Sequence, residues 1–339
     1  MSRVSASRPS ETPFAGLTPD RILDALEHAG QRPDGRLLAL NSYENRVYQF
    51  GVEDGPMRVV KFYRPVRWSD RQIREEHAFV AELADEEIPV AAPLVIGGAP
   101  LLKFDGLRYA ITPRLGGRAP ELESPGTLER LGRFIGRIHA VGRRRRFETR
   151  PTLGVAEFGE ASRDWLLAHD FIPAELLPAW RSVADLALTG VRHAFERAGD
   201  FTMLRLHGDC HLGNVLWLPD DDGGGGPQFV DFDDARSGPA VQDLWMLLSG
   251  ERHEQAAQLA EVLAGYEDFM DFPARELHLV EALRTLRLIH YSAWIARRWH
   301  DPAFPAAFPW FGTMHYWQDR VLELREQIAA MEEPPLWPL

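Results

Sequence analysis

A single cysteine, Cys210, among 339 residues excludes an intrachain disulfide framework and a multi-cysteine metal site, and fits a reducing compartment. Lysine is nearly as scarce: only Lys61 and Lys103 occur, so 36 of the 38 basic residues are arginine. No apolar run approaches the length that spans a bilayer, and Met1 to Gly16 lack the apolar core of a signal peptide. A cytoplasmic location without membrane attachment is therefore expected. The formal charge of −12 argues against a general nucleic-acid binder and against docking on an anionic membrane. There is no internal repeat. The 45% apolar content of a chain this long suffices for one large domain of two lobes.

Residues 1–16, rich in Ser, Pro and Arg, read as a flexible tail. Thr18-Pro19-Asp20 supplies an N-cap, a proline at the first helical position and an early acid, opening a helix that Gly30 ends. Strand-like runs follow at 46–52, 57–63, 93–96 and 107–112, with a helix over 69–87 between the second and third. This predicts an N-terminal lobe over 17–112 built on a small, mostly antiparallel sheet. Residues 113–117 break both periodicities and predict a hinge. From 118 to 339 helical patterns dominate, at 125–141, 173–198, 242–248, 255–270, 274–299 and 313–331. The Gly-rich segment Asp220–Gly226 reads as an exposed hairpin tip.

Two short apolar runs interrupt the helical lobe, and the acids of this region cluster on them. Leu206-His-Gly-Asp-Cys-His-Leu-Gly-Asn-Val-Leu-Trp217 and Phe229-Val-Asp-Phe-Asp-Asp234 bring Asp209, Asn214 and Asp231 toward one point. Phosphoryl transfer asks little covalent chemistry of a protein; it needs a positioned acceptor and neutralised phosphates. Asp209 suits the group that orients an acceptor hydroxyl and takes its proton. Asn214 and Asp231 offer the hard oxygens that Mg²⁺ prefers, with Asp231 bridging metal to phosphate. Lys61, in the strand pattern Val59-Val-Lys-Phe-Tyr63, suits the lysine that reaches the α and β phosphates of ATP. Glu76 is the expected carboxylate partner of that lysine, because it lies one turn from both Ile73 and Val80, whereas Glu75 points further out.

The segment His207-Gly-Asp-Cys-His-Leu-Gly-Asn214 with Phe229-Val-Asp-Phe-Asp233 resembles the catalytic signature of the aminoglycoside/choline phosphotransferase superfamily. That resemblance implies an α+β, protein-kinase-like bilobal fold. More narrowly, Asn41-Ser-Tyr-Glu-Asn-Arg-Val-Tyr48, Val60-Lys-Phe-Tyr-Arg-Pro65, the run from Asp233 to Leu248 and Asp301-Pro-Ala-Phe-Pro305 resemble a branch of bacterial Ser/Thr protein kinases. The narrower resemblance implies ATP and Mg²⁺ as cofactors, a monomeric enzyme, autophosphorylation, transfer to Ser and Thr of proteins, and a role in stress survival.

Departures from ordinary protein kinases carry information. No Gly-x-Gly-x-x-Gly precedes the first strand, so the Ser42 hydroxyl and nearby backbone N–H groups are expected to contact ATP instead. Gly208 stands where His-Arg-Asp would carry arginine, and Pro239 follows Asp231 too closely for a long activation segment. Control through an activation loop is not expected. His207 and Asp243 are expected to brace the catalytic loop, Cys210 to be a small buried residue, Arg143–Arg146 a solvated charge run, and the aromatic residues from 294 to 311 packing of the helical lobe. Three rival readings stay open. His207, Asp209 and His211 can make half of a zinc or iron site; the acceptor can be an aminoglycoside, amino alcohol or sugar; and the chain can be a non-catalytic nucleotide-binding scaffold. An acidic acceptor pocket with several unpaired carboxylates would favour a cationic small molecule.

Overall fold

The computed structural model describes residues 13–219 and 225–337. Most of the expected tail and the core of the Gly-rich hairpin tip, 220–224, lie outside these residues. The N-terminal lobe opens with helix α1 (Pro19–His28), whose Thr18 side chain accepts the Arg21 amide. Five antiparallel strands follow: β1 (Pro33–Leu40), β2 (Arg46–Val52), β3 (Arg58–Phe62), β4 (Leu102–Phe104) and β5 (Leu107–Pro113), in the sheet order β1-β2-β3-β5-β4. Helix α2 (Asp70–Asp85) lies between β3 and β4 and starts on a capping box made by Ser69 and Gln72.

Strand alternation gives the sheet two apolar faces. Phe50, Val60, Phe62, Tyr109 and Ile111 meet Ile22, Ala25 and Leu26 of α1 on one of them. On the other, Tyr63 and Ala110 meet Ile73 of α2. The later turns of α2, with Phe79, Val80 and Leu83, are buried in the core of the second lobe. α2 is thus shared between the lobes.

Two strands differ from expectation. Residues 93–96 form no strand, only a bridge between Ile96 and Ala99. Strand β1 lacks an alternating pattern, opens on the turn-forming Pro33-Asp34-Gly35, and carries a register shift between Pro33 and Leu37. Its place at the sheet edge explains the weak signal, because an edge strand with one exposed face needs no regular apolar alternation. The β4–β5 hairpin turns at Asp105-Gly106, both at positive φ, the pairing that a tight two-residue hairpin favours.

Beyond β5 the chain runs on without a strand or helix, and Arg118 bridges to Trp217. The second lobe contains α3 (Thr127–Gly142), α4 (Ala161–Leu167), α5 (Leu177–Ala198), α6 (Gln242–Trp245), α7 (Arg252–Tyr266), α8 (Val280–Arg297), α9 (Ala303–Ala307) and α10 (Met314–Glu332). Two small hairpin-like sheets carry the motifs: β6 (Leu204–Leu206) pairs with β9 (Arg236–Gly238), and β7 (Val215–Leu218) with β8 (Gly226–Phe229). The expected helix over 274–299 begins as a 3₁₀ segment and becomes α-helical at Val280. Among the described residues no helix is long and apolar enough to cross a membrane.

Helices α3 and α7 pack backbone against backbone because glycines face the contact. A Cβ at Gly132 would collide with the Val262 carbonyl, and one at Gly265 with the Glu129 carbonyl. Gly132→Ala therefore overpacks a site that cannot relax through a flexible side chain. It is expected to lower stability by about 1–3 kcal/mol, read as a lower urea midpoint with an unchanged slope.

Candidate active site

Strand register sets the wall of the cleft. Leu40, Val47, Lys61 and Ala110 lie in one row across β1, β2, β3 and β5, and Leu38, Gln49, Val59 and Thr112 form the next row on the same face. Lys61 therefore projects from the same face as Leu38, Leu40, Val47 and Val59. That placement also accounts for the exposure of Leu38 and Leu40 on an otherwise well-packed sheet.

The catalytic loop between β6 and β7 is held by one buried acid. Asp243 accepts the amides of His207 and Gly208, each at 2.8 Å, and the Nε2 of His139 at 3.1 Å. Gly208 sits at φ +83°, and a Cβ there would run into the Asp234 carbonyl. Glycine at this position is thus a steric requirement as well as the loss of an arginine. His207 donates from Nε2 to the Val230 carbonyl at 2.9 Å and accepts the Asp209 amide at Nδ1, 3.4 Å away. With both ring nitrogens committed, His207 is a brace and not a metal ligand. The zinc or iron reading loses its first member.

These contacts present Asp209 at the cleft. One oxygen meets the guanidinium of Arg287 from α8 at 2.5 Å, and the other faces His211 Nε2 at 3.5 Å. Burial opposes its charge, but the His211 hydrogen bond and the Arg287 guanidinium outweigh it and hold the carboxyl at about 2. Asp209 is thus an ionised acceptor throughout the physiological range. Asn214 donates its amide nitrogen to the Asp209 carbonyl at 3.0 Å, which leaves its side-chain oxygen out of that contact. Asp231 occupies the left-handed region at φ 61°, ψ 63°, and is the most exposed acid of the centre. Its carboxylate lies 3.1 Å from Lys61 Nζ.

The partner of Lys61 is not the one expected. Lys61 Nζ lies 2.7 Å from Asp233 and 3.1 Å from Asp231, and no ion pair joins it to Glu76. Asp233 replaces the glycine of the usual motif, so a carboxylate stands closer to the lysine than α2 can bring one. Burial opposes the charge on Lys61, but the two aspartates hold its pKa well above the usual lysine value. Glu76 is buried as predicted, whereas Glu75 faces the other way and accepts the amides of Glu148, Thr149 and Arg150.

Ser42 lies in the β1–β2 turn with its hydroxyl donating to the Asn45 carbonyl at 2.9 Å. The turn is anchored on the second lobe. Asn45 donates to Asp233, and Glu44 accepts from Trp294 Nε1 at 2.7 Å and Arg298 Nε at 2.8 Å. Arg67 meets Asp234 at 3.0 Å, and Arg64 meets the buried Asp301 at 2.7 Å. Asp233 and Asp234 belong to the second motif, whereas Arg67, Trp294 and Arg298 lie in none. Glu44, Asn45 and Asp301 do fall inside the stretches quoted above for the narrower resemblance.

No group of three or more His, Cys, Asp or Glu among the described residues can hold a metal alone. Asn214 and Asp231 supply two hard oxygens, a set that fits a divalent cation completed by phosphate and water. These two residues would hold it, and it would supply charge neutralisation on the phosphates.

A model of the phosphotransferase enzyme family (APH) matches residues 36–283. The chain belongs to this phosphotransferase family. It is 48% identical over 323 residues to stress response kinase A of Salmonella choleraesuis (strain SC-B67), covering 95% of this chain and 96% of that one. The serine/threonine protein kinase RdoA of Salmonella typhimurium (strain LT2) matches equally, at 48% over the same shares, and stress response kinase A of Escherichia coli (strain K12) at 47%. Among solved structures, amicoumacin kinase hAmiN in complex with AMP-PNP, Ca²⁺ and Ami superposes with a TM-score of 0.71 at 18% identity over 95% of each chain. A microcompartment-associated aminopropanol kinase gives 0.66 at 18% identity over 92% of this chain and 96% of its own. The bilobal, kinase-like fold and the reaction class expected from the motifs both stand: the protein is a phosphotransferase with a hydroxyl acceptor.

Two further features match expectation. Arg143–Arg146 are all exposed, as expected of a solvated run, with Arg144 pairing with Glu86 at 2.5 Å and Arg145 with Glu82 at the surface. Cys210 is buried, and burial with the nearby Asp243 and Asp209 charges pushes its thiol well above the usual range. It is a packing residue without thiolate character.

Burial, opposed in part by Lys61, pushes Glu76 up to about 7. A carboxyl raised on folding contributes stability that is complete below its unfolded value near 4.5 and is lost as pH rises through 7. Glu76→Gln is therefore expected to be more stable than the parent at pH 8, by on the order of 2 kcal/mol, with the gain vanishing toward pH 5. Thermal melts of both chains across that range measure it.

Proposed function

We propose that this phosphotransferase uses ATP and Mg²⁺ to phosphorylate Ser and Thr hydroxyls of proteins, its own chain among them, as a monomeric cytoplasmic enzyme of the bacterial stress response. The observation that carries this reading is the state of the carboxylates around the base. A cationic acceptor such as aminopropanol needs an acid free to receive its ammonium. Here Asp209 is paired with Arg287, Asp231 and Asp233 with Lys61, Asp234 with Arg67 and Arg236, and Glu44 with Arg298. A peptide hydroxyl brings no charge and needs no such acid. The relative named serine/threonine protein kinase RdoA, 48% identical across nearly the whole chain, supports the same choice.

The proposal gives the chain's own residues these roles. Lys61 and the Ser42 turn grip the phosphates, Asn214 and Asp231 hold the cation, and Asp209 orients the acceptor hydroxyl and receives its proton. Purified protein with Mg²⁺ and ATP is expected to place phosphate on Ser or Thr of itself and of an added protein mixture, detected by mass spectrometry. Asp209→Asn, which keeps the shape but not the proton acceptor, is expected to lower that transfer by at least about 10²-fold while retaining nucleotide binding. Transfer to amino alcohols or aminoglycosides with none to protein would replace this reading by a small-molecule kinase.

A further inference from the structure

Arg287 is absent from every motif of the catalytic centre, yet it is the cation nearest the catalytic base. It reaches Asp209 from α8, a helix distant in sequence, with one N–H on the carboxylate at 2.5 Å. A guanidinium carries five N–H donors in a fixed fork, and no other hydrogen bond is made by this one among the described residues. Its side chain is 42% exposed, so it is not fixed by packing. The other cations of the centre are committed and largely buried: Lys61 to Asp233 and Asp231, Arg67 and Arg236 to Asp234.

The acceptor side of the centre thus has one mobile cation, parked on the group that must come free when a hydroxyl arrives. The same face of α8 continues through Tyr291, Trp294 and Arg298 to Glu44 in the β1–β2 turn. The helix therefore spans from the base to the turn over the phosphates, and Arg287 lies on that line.

We propose that Arg287 is a catalytic residue, an arginine finger supplied by the chain itself. It leaves Asp209 as the planar phosphoryl group forms and turns its open donors onto the equatorial oxygens of that group. In that step the acceptor oxygen forms its bond to the γ-phosphorus while the β–γ bridging bond breaks, the electron pair leaves with ADP, and the acceptor proton passes to Asp209. Arg287 neutralises charge on the group in flight and vacates the oxygen that takes the proton. This inference rests on the phosphotransfer reading of the site but not on a protein acceptor.

The test is binding of ADP with Mg²⁺, with and without aluminium fluoride, which mimics the planar phosphoryl group. The full-length parent is expected to bind ADP at least tenfold more tightly with fluoride present. Arg287→Ala should lose most of that increment while its affinity for ADP alone stays within about twofold, the latter showing that the fold and nucleotide site are intact. Arg287→Lys, which keeps the charge without the fork, should recover only part. A full fluoride increment in Arg287→Ala, or none in the parent, overturns the proposal. Parent protein that binds ADP·fluoride in this way but phosphorylates no protein overturns the protein-kinase reading alone.

Discussion

The two lobes meet on a buried carboxylate. Asp233 receives Lys61 from the sheet, Asn45 from the β1–β2 turn and Arg67 from the segment after β3, and its side chain is only 7% exposed. Withdrawing charges from water is costly, and such a cluster persists only when each member is matched. Removing one partner would leave another buried and uncompensated, at a cost of about 3–5 kcal/mol. The position of the lysine, the seat of the phosphate-side turn and the placement of Asp231 two residues away all follow from satisfying this single acid. The same arrangement explains why Lys61 does not need Glu76: the lysine finds its counter-ion on the catalytic side of the cleft.

A second buried acid fixes the other half of the site. Asp243 caps two successive amides of the catalytic loop and holds His139, so the backbone that presents Asp209 is tied to the helical core and not to a mobile segment. Burial of an acid with three donors costs little once all are in place, whereas a loop without them would expose orphaned amides. The two acids divide the labour between them. One sets where Lys61 lies, the other where Asp209 lies, and Asn214 and Asp231 flank the short β7–β8 pair between them.

How much of this was legible in the sequence depends on the kind of interaction. Asp209, Asn214, Asp231 and Lys61 lie in local patterns whose spacing reflects the chemistry, and the bracing roles of His207 and Asp243 could be anticipated from the same segments. The helical lobe was legible because α3, α5, α8 and α10 carry long apolar faces, with a Thr313 cap opening α10 and a proline in the first turn of α5. Edge strand β1 was not, because one exposed face imposes no alternation. Nor were Arg287, Arg67 and the Glu44–Arg298 contact, whose partners lie 78, 167 and 254 residues away and leave no periodicity behind. The choice of Asp233 over Glu76 as the lysine's partner is of this kind too. Burial of Glu76 could be read from helical phase, but which of two inward acids lies nearer a lysine depends on the tertiary approach of β8 to β3.

The attachment of α2 bears on how such an enzyme can be controlled. In a fold where this helix swings, its inner face must be able to leave the second lobe. Here Phe79, Val80 and Leu83 are built into the core of that lobe, and Glu75 caps three consecutive amides at 148–150. Arg144 and Arg145 grip the far end at Glu86 and Glu82, and Arg205, buried at the lobe's edge, meets Glu82 at 2.8 Å. Swinging α2 outward would expose three large side chains, each worth about 1.5–3 kcal/mol when buried, and would strand Arg205. With Gly208 in place of the arginine that reads a phosphorylated loop, neither the sensor nor the moving part of that control remains. The β1–β2 turn is seated on the second lobe by a smaller set of contacts, the hydrogen bonds of Glu44 and Asn45 and the ring of Tyr43 against Phe308.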